Sequence, residues 1–128
     1  MKYALIGCGR IATNHVTAAV NNNLEIVAVC DVVPEKMEAI LEKHNLADDK
    51  SIKRYTDYKK MLEENDLELV SIATESGKHA AIALDAIDAG VNVIIEKPMA
   101  MNMADAEEII KRAAEKHVKV SACHQNRF

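Results

Sequence analysis

Ala4-Leu5-Ile6-Gly7-Cys8-Gly9-Arg10-Ile11-Ala12 decides the fold. A short apolar run is followed by two glycines at two-residue spacing and then by the start of a helical pattern. The stretch predicts a strand, a tight turn and a helix N-terminus. Gly7 makes the sharp turn out of the strand, and Gly9 lets the backbone approach a ligand with no Cβ in the way. Ala12 stands where a third small residue permits close helix–strand packing. The first helical N–H groups and the positive end of the helix dipole then face an anion. Gly7, Cys8, Gly9, Arg10 and Ile11 are therefore the expected contacts for the pyrophosphate of a dinucleotide.

The residues that follow strengthen this reading. Leu24 to Cys30 predicts a second strand, and Asp31 follows it directly. An acid about twenty residues beyond such a turn accepts hydrogen bonds from an adenosine ribose. Its carboxylate repels a 2′-phosphate, and Val32 and Val33 bring no arginine to hold one. NAD is the expected cofactor, with NADP the second choice because Lys36, the nearest cation, softens the preference.

Composition narrows the class. The chain has 128 residues, read as a single dinucleotide-binding domain over 1–128. Its aromatic residues are Tyr3, Tyr55, Tyr58 and Phe128, so the core must be aliphatic, as in a buried parallel sheet. The net charge of −4 comes with no basic run, which argues against nucleic acid or an anionic membrane as partner. The apolar start is too short for a signal peptide and is interrupted by Arg10, and no stretch reaches transmembrane length. Cys8, Cys30 and Cys123 have no metal-ligand spacing. Free thiols in a reducing cytoplasm and no metal site are expected.

Periodicity places the remaining elements. Residues 2–6 form strand one, and a helix from about Arg10 to Asn21 stops at Asn21-Asn22-Asn23. Pro34 opens a helix with Met37, Ile40, Leu41 and His44 on one face. Residues 52–55 suit a short edge strand, and Thr56 can cap a helix carrying Tyr58, Met61 and Leu62. Leu67 to Thr74 is strand four. Gly77 to Ala89 is a helix burying Ile82, Ala83, Ala86 and Ile87, with Gly90 as its stop. Val91 to Ile95 reads as a strand buried on both faces. Asn102 and Asp105 have capping-box spacing at the start of a helix to about Lys116, with Ala106, Ile109, Ile110 and Ala113 inward. Lys119 to Cys123 is strand six. About six strands alternating with helices require a parallel sheet with right-handed crossovers: an α/β, doubly wound Rossmann fold of strand order 3-2-1-4-5-6.

The chemistry-bearing residues fall at carboxyl ends of strands, as one site on this fold demands. They are the glycines after strand one, Asp31 after strand two, Thr74 after strand four and Glu96-Lys97-Pro98 after strand five. His124 to Phe128 follows strand six. Pro98 restricts the backbone of Lys97. A partly desolvated lysine beside a cationic nicotinamide has a lowered pKa and can assist deprotonation of a substrate hydroxyl. The same position suits a lysine that caps the strand or pairs with Glu96. His15 and His79 can serve for packing or capping alone, and His44 and His117 fall late in helices, where imidazole suits the dipole.

Gly7-Cys8-Gly9-Arg10-Ile11-Ala12, Asp31, Glu96-Lys97-Pro98-Met99-Ala100 and Asn126-Arg127-Phe128 together resemble the Gfo/Idh/MocA family of sugar and cyclitol oxidoreductases, along the whole chain. The resemblance implies NAD(P)-dependent hydride transfer, with Lys97 catalytic and in contact with cofactor and substrate. It adds Thr74, His79 and Glu96 to the cofactor site and Arg127 to the substrate site. It also implies a second domain that supplies most substrate contacts and a homo-oligomer interface. That domain is expected to be missing here, leaving a fragment that binds cofactor but is inactive or nearly so. Glu75 stands where the family usually has proline, a departure in the loop near the nicotinamide. The end Cys123-His124-Gln125-Asn126-Arg127 resembles members acting on nucleotide-linked amino sugars. A non-catalytic dinucleotide-sensing module is the alternative function. Binding of S-adenosylmethionine or another nucleotide is a third reading, disfavoured by Glu96-Lys97-Pro98.

Overall fold

A computed structural model of the chain describes residues 1–9, 11–74, 78–96 and 103–123. Six parallel strands form one sheet: β1 (Lys2–Ile6), β2 (Glu25–Cys30), β3 (Lys53–Tyr55), β4 (Leu69–Ile72), β5 (Asn92–Glu96) and β6 (Val120–Cys123). Their order is β3-β2-β1-β4-β5-β6, as the alternation of elements predicts. The order reverses between β1 and β4, whose paired ends Ile6 and Ile72 open a crevice above the sheet.

The helices are α1 (Ala12–Asn21), α2 (Pro34–Lys43), α3 (Tyr58–Glu64), α4 (His79–Asp88) and α5 (Met103–Lys116). They divide between the faces. Ala12, Val16, Met37, Ile40 and Leu41 of α1 and α2 pack on Tyr3, Leu5 and Val29. Met61, Ile82, Ala86, Ile87 and Ile109 of α3, α4 and α5 pack on Ala4, Ile6, Val70, Ile72, Val93 and Ile95. Alternate residues of β1 thus enter opposite cores, the pleat period of a strand covered on both sides. Gly90 ends the α4 region at φ +78°, a left-handed conformation that glycine takes without a Cβ clash.

Three expectations are corrected. The cap of α3 is Asp57, whose carboxylate accepts the Lys59 N–H at 2.9 Å, in place of Thr56. Ile110 of α5 is exposed, because only Ile109 and Ala113 of that helix are buried against the sheet. β5 is fully covered on one face, at Val93 and Ile95, whereas on the other Asn92 and Ile94 are half-buried and Glu96 at the strand's end is buried. α1 and α2 lie over β1 and β2, and α1 reaches β5 at its carboxyl end, where His15 meets Glu96.

Candidate functional site

A cleft of about 720 Å³ opens at the carboxyl ends of β1, β2 and β4. Gly7, Gly9, Ile11, Asp31 and Thr74 line it together, so the sequence reading converges on one place. Gly7 sits at φ +95°, and a Cβ there would lie 2.7 Å from the Ala73 carbonyl carbon and the Thr74 nitrogen. Only glycine fits this close approach of two strand ends. A Cβ on Gly9 would meet nothing within 4 Å among the described residues. Gly9 therefore leaves open space at the mouth of α1, and Ile11, the residue capping that helix, supplies no side-chain cap. Of the first-turn N–H groups, those of Ala12 and Asn14 donate to the Gly9 and Ile11 carbonyls, both at 3.1 Å, and the positive end of the helix dipole favours an anion's oxygens in that space.

Asp31 is built into this turn. Its Oδ2 accepts the Cys8 N–H and its Oδ1 accepts the Val33 N–H, both at 2.8 Å. The Gly7 N–H donates to the Cys30 carbonyl at 2.8 Å, and the Asp31 N–H donates to the Tyr55 carbonyl at 3.0 Å. The acid is thus held in one orientation by the glycine turn itself, with lone pairs left for ribose hydroxyls.

Cys8 and Cys30 point into the two cores. The Cys8 thiol lies 3.5 Å from the Cys30 carbonyl. Burial, followed by the charge of Asp31, pushes both thiols up to about 12. Both remain protonated and inert at neutral pH. Iodoacetamide is expected to leave Cys8 and Cys30 unmodified in the native chain and to modify both in urea, read by mass spectrometry. Deprotonation from the ordinary value of 9 favours the unfolded chain. Their contribution to stability is complete below pH 9 and is lost as pH rises towards 12.

Two residues expected at the cofactor lie beneath the cleft wall. His79 is 1% exposed, and its Nε2 lies 2.8 Å from the Thr74 carbonyl. It supports the Thr74 backbone and is absent from the cleft lining. Glu96 is 3% exposed at the end of β5. Its Oε1 lies 2.5 Å from Nε2 of His15, likewise buried on α1. Arg10, Lys97, Arg127 and the departure at Glu75 lie outside the described residues.

Sequence reasoning missed part of the lining. Thr56, Tyr58, Lys78, Ala81 and Ile82 wall the far side. The Tyr58 hydroxyl donates to Asp85 Oδ2 at 2.5 Å, and burial followed by that carboxylate raises its pKa. Its position in the first turn after the third strand, at the carboxyl edge of the sheet, is the signal that could have found it. Lys36 and Lys78 line the cleft and make no ion pair among the described residues, so they give it positive charge. Among those residues there is no group of three metal-ligating side chains, and no helix long and apolar enough to cross a membrane.

Known proteins are similar to this chain in sequence and in fold. Inositol 2-dehydrogenase of Salmonella typhimurium is 33% identical over 113 residues, 87% of this chain and 32% of the relative. D-apiose dehydrogenase of Paraburkholderia graminis is 36% identical over 110 residues, 85% of this chain and 28% of the relative. The crystal structure of the WlbA dehydrogenase of Chromobacterium violaceum, in complex with NADH and UDP-GlcNAcA, superposes with a TM-score of 0.87 at 32% identity. It covers 99% of this chain and 36% of that one. The chain thus spans about a third of the length of these relatives. The model of the oxidoreductase family with the NAD-binding Rossmann fold matches residues 1–124. The glycine turn, the clamped acid and the six-stranded sheet are those of a domain that binds NAD, and the chain belongs to the Gfo/Idh/MocA oxidoreductase family.

Proposed function

We propose that residues 1–128 are the cofactor domain of an enzyme that moves a hydride between nicotinamide and a hydroxyl-bearing carbon of a sugar, cyclitol or nucleotide sugar. The observation that carries this reading is the cleft at the β1–β4 switch point, with Asp31 clamped at one end. Glu96 ends β5, the neighbour of β4, and Lys97-Pro98 come next in the sequence. Two relatives are named as dehydrogenases of inositol and D-apiose, and a third was crystallised with a nucleotide sugar.

Bound NAD supplies the hydride acceptor. The chain's residues do the rest. The turn at Gly7 and Gly9 and the first turn of α1 receive the pyrophosphate. Asp31 accepts hydrogen bonds from the adenosine ribose, and Lys36 and Lys78 add positive charge to the cleft. Lys97, as the neutral amine, takes the substrate hydroxyl proton as the carbon-bound hydrogen leaves with its electron pair. Arg127 contacts substrate. In this reading the rest of the enzyme supplies the other substrate contacts and a homo-oligomer interface. The enzyme works in the cytoplasm, and residues 1–128 alone bind cofactor but turn over little substrate.

Acylation of Lys97, followed by mass spectrometry across a pH series, tests the assignment. A cationic nicotinamide beside the amine disfavours its charged form, so NAD+ moves the labelling midpoint down. Labelling at neutral pH is then faster by on the order of tenfold, one pKa unit. ADP-ribose, which lacks the nicotinamide, leaves the midpoint in place. Identical profiles with the two ligands would remove Lys97 from the reacting end.

A further inference from the structure

We propose that His15 is a positioning residue, which fixes the chain at Glu96 relative to the dinucleotide helix and so sets Lys97, the next residue, against the nicotinamide. The inference rests on the reading of Lys97 as the proton-transfer group.

Three observations carry it. First, the pair is buried where charge is costly: the side chains of His15 and Glu96 are 6% and 4% exposed, and their Nε2 and Oε1 atoms are 2.5 Å apart. An apolar pair of similar volume often stabilises such a site as well or better, so the buried contact is weak evidence for a role in stability alone. Second, it joins elements that do not otherwise belong together. α1 packs its apolar face on β1 and β2, while β5 lies two strands from β1, beyond β4. His15 reaches from the first turn of α1 to the last residue of β5. Continuing the β4–β5 register beyond Ile72 and Ile95 brings Ala73 level with Glu96, and Ala73 presents only a methyl group on that face. Third, both ends of the link lie beside functional positions. α1 begins at the turn where Gly9 and Ile11 line the cleft, and Glu96 directly precedes Lys97. A link between the phosphate helix and the strand end fixes the two in register without touching the ligand. Positional errors of about 1 Å at a reacting group can cost on the order of a hundredfold in rate.

The test uses the whole chain and reads Lys97 acylation with NAD+ against ADP-ribose, together with NAD+ affinity by calorimetry. In His15→Phe, which removes the donor and keeps the bulk, the NAD+ acceleration of about tenfold falls below about twofold. NAD+ affinity stays within about threefold, because Gly7, Gly9 and Asp31 still hold the cofactor. His15→Gln keeps an N–H donor for Glu96 and restores the acceleration, a rescue that a purely structural role would not produce. Should His15→Phe fail to fold, His15→Phe/Glu96→Leu removes the buried carboxylate together with the imidazole, and it is expected to show the same lost acceleration. Variants that keep the parent's full acceleration overturn the proposal alone. A parent chain whose Lys97 labels alike with NAD+ and ADP-ribose overturns the Lys97 reading and this proposal with it.

Discussion

Gly9→Ala is expected to abolish dinucleotide binding while leaving the melting temperature of the free chain unchanged. A Cβ at position 9 meets no atom of the described residues within 4 Å, and the backbone there is not left-handed, so the fold absorbs it without strain. The space that it fills is the open mouth of α1, where phosphate oxygens must come within hydrogen-bond distance of backbone N–H groups. A methyl group there holds the anion beyond that distance, and the NAD+ dissociation constant should rise by on the order of a hundredfold or more, about 3 kcal/mol. Gly7→Ala gives the contrasting result. A Cβ at φ +95°, 2.7 Å from the backbone of Ala73 and Thr74, forces β1 and β4 apart at their ends. The left-handed conformation alone costs about 1–2 kcal/mol for a residue with a Cβ, and the backbone clash adds to it. Gly7→Ala should therefore lower the melting temperature as well as abolish binding. Thermal denaturation and calorimetry on both variants check the pair. A destabilised Gly9→Ala, or one that binds NAD+ normally, contradicts the geometry of the turn.

The second large effect is at Asp31. Asp31→Ser removes the carboxylate that accepts the Cys8 and Val33 N–H groups and that, in the proposed function, accepts from the ribose. Hydrogen bonds to a charged group contribute about 1.5–3 kcal/mol each. Loss of the ribose contacts should therefore weaken NAD+ binding by roughly ten- to a hundredfold. The same change removes the repulsion of a 2′-phosphate, with Lys36 left on the same wall of the cleft. NADP+ should then bind more tightly to Asp31→Ser than to the parent chain. Calorimetric titration of both proteins with both nucleotides checks this. Unchanged affinity for both would remove the role assigned to Asp31.

What the sequence made legible was whatever local chemistry controls. The turn at Gly7 demands glycine, because two strand ends meet there with no space for a Cβ. The acid after β2 follows from spacing, and the strand order follows from the alternation of elements. What stayed hidden depends on partners distant in sequence. Ile110 has the helical spacing of an inward residue, yet α5 meets the sheet along a stripe narrower than its apolar pattern. β5 is apolar enough to be covered twice, but on the face opposite Val93 and Ile95 its Asn92 and Ile94 are left half-buried. Glu96, a carboxylate at a strand's carboxyl end, reads as a cleft residue. The structure turns it inward because His15, eighty-one positions earlier, supplies the partner that lets it be buried. Thr56 and Asp57 are both competent caps, and only the backbone geometry selects Asp57. Lys97 and Arg127 were read from motif alone and lie outside the described residues, so their roles rest on the labelling experiment and on substrate binding.

The most direct test of the central claim is a calorimetric titration of the chain with NAD+, NADH and NADPH, repeated on Gly9→Ala. The account predicts one site per chain, preference for NAD(H) over NADPH, and loss of the heat signal in Gly9→Ala. Absence of binding to all three nucleotides by the folded parent chain would contradict it.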